Sequence, residues 1–282
     1  MPGILYVVAT PIGNLEDVTL RGLRILREVS LIAAEDTRRT SKLLQHYSIS
    51  TPATSLHEHN EHAKGPRLIE RLRGGESIAL VSDAGTPAIS DPGARLVAAA
   101  HAAGIVVQPV PGPSALAAVV SAAGLQAEEF TFVGFPPSRS TARTKWFAAL
   151  ADHPFAMVLY EAPHRIEQTL RAIQQHMGER RVAVGRELTK IHEILAVRPI
   201  SMWLQDPPVS QGEFVLLIFP PEPSETAVDR PTEPVTLAAE FWRITNNSTL
   251  TRREAIRAVA RRFNVRNKDV FDAIEAHPNS GE

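Results

Sequence analysis

The sequence predicts an α/β protein: a parallel α/β N-terminal domain, a mixed-sheet α+β second domain and a small helical C-terminal module. Three observations carry that prediction. Over residues 1–124, short apolar runs alternate regularly with segments of helical period. Over residues 125–219, strand-like runs follow one another with only two clear helices between them. After a proline-rich stretch at 220–234, residues 235–282 carry helical periodicity alone.

In chain order, Ile4–Ala9 reads as the first strand and Thr19–Glu28 as a helix, with Leu20, Leu23 and Leu26 at helical spacing. Leu31–Ala34 is a strand, and helices are expected around Arg39–Gln45 and over Ala63–Leu72. Ser77–Val81 and Ile105–Gln108 are strands flanking the helix Ala94–Ala103, and Ser114–Ala123 is a helix of small residues. Strands that are apolar on both faces and separated by helices imply a parallel sheet covered on both sides. In the second domain, Phe130–Phe135, Ala156–Tyr160, Arg181–Gly185, Glu193–Val197 and Glu213–Phe219 are strands, and Ala142–Leu150 and Arg165–His176 are helices. Strands without regular crossovers imply a mixed sheet. Pro220, Pro221, Pro223, Pro231 and Pro234 among Ser, Glu, Thr and Asp describe a stiff, solvated linker. Leu237–Thr245, Thr251–Phe263 and Lys268–Ala276 are the three helices of the module.

The 282 residues carry a net charge of -1, so any nucleic-acid contact must come from a local basic patch. No cysteine is present, which excludes disulfides and thiolate chemistry and favours a reducing compartment. The N-terminus runs almost at once into the first strand, without the basic start and cleavage site of a signal peptide. No run reaches the 18 or so apolar residues of a membrane span, and a cytoplasmic protein is expected.

The loops after the strands are the distinctive part. In an open α/β sheet the ligand crevice lies at the carboxyl ends of the strands, where these loops sit. Pro11-Ile12-Gly13-Asn14 follows a strand and precedes a helix, but it lacks both the G-x-G-x-x-G and the Lys-Ser/Thr signatures, and is equally a plain turn. Ser82-Asp83-Ala84-Gly85-Thr86-Pro87, followed by Asp91-Pro92-Gly93, sets a carboxylate among small residues, which suits a ligand that brings positive charge. Such residues also make turns. His57-Glu58-His59-Asn60-Glu61-His62 holds the right ligand types for zinc, but on alternate residues of a short loop without an identifiable fourth ligand. A polar loop touching substrate is the better reading, and no metal is expected. Tyr160-Glu161-Ala162-Pro163-His164-Arg165 and Gly185-Arg186-Glu187-Leu188-Thr189-Lys190 stand at strand ends, as salt-bridged caps or as cleft walls. Across residues 252–269 Arg252, Arg253, Arg257, Arg261, Arg262, Arg266 and Lys268 outnumber Glu254 and Asp269, so a phosphate-binding face is expected.

Taken in order along the chain, these loops resemble the bacterial small-subunit ribosomal RNA ribose methyltransferases, the RsmI family. The resemblance rests on Ala9–Leu15, Ala34–Arg38, Leu56–Glu61, Leu80–Pro87, Asp91–Gly93, Pro111–Pro113, Tyr160-Glu161, His164-Arg165, Arg186–Lys190 and Gly212–Leu216, and spans essentially the whole chain. Gly185 in place of a familiar alanine, and Gln211 in place of a frequent lysine, are the departures. The resemblance implies the two-domain tetrapyrrole-methylase-like fold, whose members lack the Rossmann glycines, bind S-adenosylmethionine between the domains and act as homodimers. It implies methylation of a cytidine ribose 2'-oxygen in the decoding region of small-subunit ribosomal RNA. Carried over by position, Pro11, Asp83, Ala84, Gly85, Thr86, Ile89, Ser114, Ala115, Tyr160, Glu161 and Leu188 would hold the cofactor, with Asp83 as the acid facing it.

Methyl transfer from a sulfonium is largely a matter of alignment, helped by removal of the alcohol proton. Asp36, Glu187 or a deprotonated Lys190 would accept that proton, or Lys190 or Arg165 would stabilise the developing alkoxide. The sequence leaves the choice open. Arg38, His57 and His59, with the tail arginines, are the expected RNA contacts. Two rivals remain at this stage: a tetrapyrrole methylase of the same fold, for which a basic tail has no purpose, and a noncatalytic RNA-binding protein, for which the Asp83 loop has none.

Overall fold

The computed structural model describes residues 2–126, 129–221, 233–247, 251–263 and 265–277, with the side chains of 246, 247, 261 and 262 outside that description. The chain divides into two units, Met1–Pro220 and Pro221–Glu282.

The first unit begins with β1 (Ile4–Val8), α1 (Leu20–Glu28), β2 (Leu31–Ala34), α2 (Thr37–His46), β3 (Ala53–Ser55), α3 (Glu61–Arg73), β4 (Ile78–Val81), α4 (Ala94–Ala102), β5 (Val106–Val110) and α5 (Ala115–Ala122). The five strands form one sheet in the order β3-β2-β4-β1-β5, every pair parallel. All four residues of β2 and of β4 are buried, because the sheet is covered on both faces. On one face Val8, Ile32, Ala34 and Val81 pack against Leu23, Leu26, Leu43 and Leu44 of α1 and α2. On the other, Leu5, Leu31, Ile78 and Leu80 pack against Leu68, Leu72 and Leu96 of α3 and α4. Helix starts are set by side chains that take up otherwise unpaired N–H groups: Thr19 accepts from Gly22 at α1, Asp36 from Arg38 at α2 and Ser114 from Ala117 at α5.

A second sheet follows, built from β6 (Phe130–Gly134), α6 (Ser140–Ala149), β7 (Ala156–Glu161), a 3-10 turn at Pro163–Arg165, α7 (Ile166–Met177), β8 (Arg181–Arg186), β9 (Ile194–Pro199), α8 (Ile200–Gln205) and β10 (Phe214–Ile218). Its order is β6-β7-β10-β8-β9, with β6 and β7 parallel and the other pairs antiparallel. Met157, Leu159, Val184 and Leu216 face Phe147, Leu170, Ile173 and Trp203 of α6, α7 and α8. Val158, Ala183, Val215 and Leu217 face Val119 and Ala123, at the end of α5. Thus the helix that leaves the first sheet covers the open face of the second, and the carboxyl ends of β1, β4 and β5 are brought against β7 and β10.

The parallel first sheet and the mixed second sheet have the expected composition. Two elements went unread in the sequence. β3 is three residues at a sheet edge, with no buried side chain, and α8 is six residues, too short to show a helical period. Gly185 marks a place where the chain has no room: a Cβ there would stand 2.8 Å from Val215 Cγ1 on the neighbouring strand.

The second unit, taken by itself, contains α9 (Pro234–Asn247), α10 (Arg252–Phe263) and α11 (Asn267–Ala276). They close around Leu237, Phe241, Ala255, Val259, Val270, Ala273 and Ile274. Most of the expected linker at 220–234 lies outside the described residues. Among the described residues, no helix is long and apolar enough to cross a membrane.

Candidate active site

Two adjoining cavities open where the two sheets of the first unit meet. The first, of about 260 Å³, is walled by Ala84, Gly85, Thr86, Ile89, Ser90 and Asp91 from the loop after β4. Ser114 and Ala115 at the start of α5, Phe135, Tyr160–Pro163 after β7, Leu188, and Glu213–Val215 complete it, with Ile12 at its edge. Nine of the eleven residues expected at the cofactor therefore share one surface; Pro11 and Asp83 do not. The second cavity, of about 440 Å³, is lined by Thr10–Gly13, Leu15, Arg39, Thr40, Lys42, Leu43, Ser82–Ala84, Lys190 and Glu213. Pro11 and Asp83 belong to it.

The loop after β4 is shaped by its backbone. Thr10 and Gly85 exchange N–H···O=C bonds of 2.8 and 3.0 Å, locking the first loop to it. Gly85 sits at φ +80°, where a side chain is strained whatever the space. Ala88 and Ser90 follow with φ of 67° and 62°, and across the cavity Glu187 and Thr189 have φ of 49° and 68°. Four of the five non-glycine residues with positive φ among the described residues thus lie on two facing loops. Held strain of this kind is characteristic of ligand sites.

Asp83 does not face the first cavity. Its Oδ1 accepts the Asp36 N–H at 2.9 Å and its Oδ2 lies 3.4 Å from Arg39 Nε, so its carboxylate ties the loop after β4 to the start of α2. Asp83, expected as the acid facing the cofactor, thus lines the second cavity and is absent from the first. The acid there without a cationic partner among the described residues is Asp91. Burial drives its pKa up to about 6, a hydrogen bond with Ser82 opposes the rise, and the nearby Glu35 and Asp83 carboxylates add to it. Glu35 is itself raised, chiefly by burial, although it accepts the Asp83 N–H at 3.2 Å. The sequence did contain a signal for Asp91, its place in Asp91-Pro92-Gly93, but not its burial.

Glu161 is 2% exposed and already spent. Its carboxylate accepts the Ala162 N–H at 2.7 Å and the Thr169 hydroxyl, and Arg165 Nε lies 3.0 Å away. That Nε–H is not well aimed, so the pair is held by charge rather than by an aligned hydrogen bond. Glu161 and Arg165 therefore brace the Ala162-Pro163 wall. Tyr160 meets Phe135 and Phe132, with ring centroids 5.5 and 5.0 Å apart, giving the cavity one aromatic side. Phe135 is half exposed and was not among the expected residues.

The remaining catalytic candidates are also fixed in place. Asp36 caps α2 and takes Arg38 Nε and Nη2 at 3.2 and 3.0 Å, which hold its pKa down. Lys190 Nζ donates to Glu187 at 2.8 Å and to Glu213 at 3.1 Å. Burial alone would lower the ammonium pKa, but these bonds outweigh it and raise it. Burial likewise raises Glu187, but Lys190 and the Glu213 N–H bring it below its usual value. Neither a deprotonated Lys190 nor a protonated Glu187 is favoured by this arrangement.

Gly13 is the point of contact between the first loop and the Glu187–Lys190 loop. A Cβ there would stand 2.5 Å from Lys190 Cγ, 2.7 Å from Thr189 Oγ1 and 3.0 Å from Leu188 O. Beside it the Asn14 N–H donates to Thr189 Oγ1 at 2.9 Å. Gly13→Ala should push that loop outward and lower turnover by roughly 10–100-fold, because misplacement near 1 Å is that costly, while changing the melting temperature by only a few degrees. Steady-state kinetics beside a thermal melt checks this; unchanged turnover would mean that the loop contact is slack.

Within the first unit the expected RNA contacts lie outside both cavities. Arg38 is 89% exposed at its side chain and paired with Asp36. His57 and His59 line neither cavity; His57 is held by Asn60, which meets its Nε2 at 2.9 Å. Among the described residues no cluster of three or more metal-ligating side chains occurs. In the second unit Arg252 is paired with Glu275 at 2.6 Å, while Arg253 and Arg257 line a shallow groove with Ile256, Asn267, Lys268 and Phe271. The Arg261 and Arg262 side chains lie outside the described residues.

Residues 4–201 match the family described as Tetrapyrrole (Corrin/Porphyrin) Methylases. The chain is 49% identical over 221 residues to a protein of Pseudomonas aeruginosa named "Ribosomal RNA small subunit methyltransferase I", covering 77% of this chain and 78% of that one. It is 45% identical over 263 residues to one of the same name from Synechocystis, covering 92% of each. Among solved structures it is similar in fold to a uroporphyrin-III-C-methyltransferase from Thermus thermophilus, with a TM-score of 0.56 and 20% identity over 77% of this chain and 94% of that one. It is likewise similar to a diphthine synthase, with a TM-score of 0.60 and 16% identity over 77% and 90%.

Proposed function

The chain belongs to the tetrapyrrole (corrin/porphyrin) methylases and, within them, to the ribosomal RNA small subunit methyltransferase I family, and from that membership we propose that it methylates a cytidine ribose 2'-oxygen in the decoding region of small-subunit ribosomal RNA, using S-adenosylmethionine. The observation that carries the reading is the first cavity, an apolar, partly aromatic surface with one acid, Asp91, that has no cationic partner among the described residues. A carboxylate in such surroundings suits a cation, and the cofactor is one. Gly85 and the Ser114-Ala115 turn offer backbone at close range, and the Tyr160–Phe135 pair offers a face for a flat ring. When bound, the cofactor supplies a methyl group on a positively charged sulfur.

The chain's own contribution is alignment and charge. Ile12, Ala84 and Glu213 border both cavities, so the acceptor oxygen reaches the methyl group across that boundary. Lys190, kept protonated by Glu187 and Glu213, stands on the acceptor side and stabilises the negative charge that gathers on the oxygen as its proton passes to solvent. Arg165, enclosed with Glu161, is a positioning residue. Lys190→Ala should lower turnover roughly 100-fold with cofactor affinity nearly unchanged, and Lys190→Arg should restore part of it. Equal loss of turnover and affinity in Lys190→Ala would instead mark damage to the loop.

The relatives at 45–49% identity carry the ribosomal name, whereas the porphyrin enzyme shares only the fold, so ribosomal RNA is favoured over a tetrapyrrole substrate. The homodimer belongs to the same reading: Ile191, Ile194 and Val197, exposed along the edge strand β9 and the turn before it, are surface for a second copy. The deciding experiment is transfer of labelled methyl to small ribosomal subunits, repeated with 2'-deoxycytidine at the target. Methylation of the deoxy substrate would exclude ribose chemistry.

A further inference from the structure

The two cavities differ in charge. The acids of the first, Asp91, Glu161 and Glu213, face no unpaired cation within it. The second carries Arg39, Lys42 and Lys190 against Asp83 and Glu213. Of these cations, Lys190 is bound to Glu187 and Glu213, and Arg39 is loosely tied to Asp83 at 3.4 Å with a side chain 60% exposed. Lys42 is exposed on α2 and makes no ion pair or hydrogen bond among the described residues. An exposed cation with no acid beside it, at the rim of a cavity, is a ready contact for an anion.

We propose that this second cavity receives the acceptor nucleotide, with Lys42 and Arg39 taking phosphates of the strand on either side of it. The proposal rests on the RNA-methylating reading and deepens it by giving the strand a path. At about 440 Å³ the cavity falls within the roughly 300–1,000 Å³ of ordinary small-molecule sites. It shares Ile12, Ala84 and Glu213 with the first cavity, which sets a nucleotide in it directly against the cofactor's methyl group. Lys190 lines this cavity and not the first, so its ammonium faces the ribose. The Asp83–Arg39 pair gives Asp83 a purpose different from cofactor binding: it holds Arg39 at the rim. Phosphate contacts of this kind fix the register of the strand without reading its sequence.

The test uses the full chain, small ribosomal subunits and S-adenosylmethionine. Lys42→Glu should raise KM for subunits at least about tenfold, since it replaces a phosphate contact with repulsion, while cofactor affinity in a direct titration stays within about twofold. Lys42→Gln, which keeps the helix and removes only charge, should reduce the salt dependence of subunit binding by about one phosphate contact, a slope change of roughly 0.7–0.9. A 4-thiouridine beside the target cytidine should crosslink to the α2 segment Thr37–His46. Unchanged KM and salt slope, with no crosslink to α2, would overturn the assignment, as would equal loss of cofactor and subunit affinity. These outcomes are distinct from failure of the underlying reading, in which the wild-type protein transfers no methyl group to subunits at all.

Discussion

At neutral pH, Asp91→Asn should bind S-adenosylmethionine at least about tenfold more weakly than the wild type, and yet the protein without cofactor should melt at a higher temperature. Both effects follow from one half-buried carboxyl whose pKa is pushed up to about 6. Above pH 6 the group is ionised in the folded chain with no cationic partner among the described residues, and a charge-assisted contact with a cationic ligand is worth about 1.5–3 kcal/mol, or one to two decades of affinity. Before the ligand arrives, the same charge is a cost. Because the folded pKa lies above the unfolded value of 3.8, the native state binds more protons between about pH 4 and 6, and stability from this group falls as pH rises through that window. Discounted for partial exposure, the cost is on the order of 1 kcal/mol, so its removal should raise the melting temperature by about 2–4 °C. Wild-type cofactor affinity should fall as pH drops through about 6, and the variant's should be flat. Groups facing Asp91 are Ser82, Asp83, Glu35 and Tyr160, none of which brings a cation. Calorimetry with S-adenosylhomocysteine adds detail: a variant that loses affinity for the sulfonium but not for the neutral thioether puts Asp91 at the sulfur. Equal affinity of variant and wild type for both would remove Asp91 from the site.

The second large effect is expected from the tail. A chain ending at Pro220 keeps both sheets and their cores, and should bind S-adenosylmethionine as the full chain does. It should bind small-subunit RNA more weakly and with a shallower dependence on salt. Arg253, Arg257 and Lys268 share one groove beside the exposed Phe271 and make no ion pair among the described residues, so about three phosphate contacts are at stake. At roughly 0.7 per contact on a single strand, the slope of log affinity against log salt should fall by about 2. Identical slopes for the two chains would leave the groove as a solvated face and shift RNA recognition to Lys42, Arg39 and the Arg38 loop.

Much of this was legible before any coordinates, and for definite reasons. β2, β4 and β10 are continuous apolar runs because both faces are covered, and such runs stand out in a sequence. Half of the residues lining the first cavity were named by position from the family resemblance, and the convergence of strand-end loops in an open α/β sheet says only where such a crevice lies. Burial and pairing were not legible. Asp83 and Asp91 look alike as letters, yet one is held by a backbone N–H and an arginine and the other faces an apolar cavity. Arg165 looked available for chemistry and is enclosed with Glu161. Phe135 reads as the end of a strand, and only the approach of β7 makes it a wall.

β10 has a consequence for how the protein comes off the ribosome. It is the last strand of the first unit and also the middle strand of its sheet, lying between β7 and β8. The parallel sheet is complete once residue 110 has emerged, and can form on its own while synthesis continues. The second sheet cannot: until Phe214–Ile218 is available, β7 and β8 each present an open edge of unpaired backbone N–H and C=O groups. A nascent chain stalled or cleaved between β9 and β10 would carry two unpaired, apolar edges at once, the usual template for aggregation. Rare codons or pauses in that stretch should therefore cost soluble yield far more than the same pauses placed after Phe219.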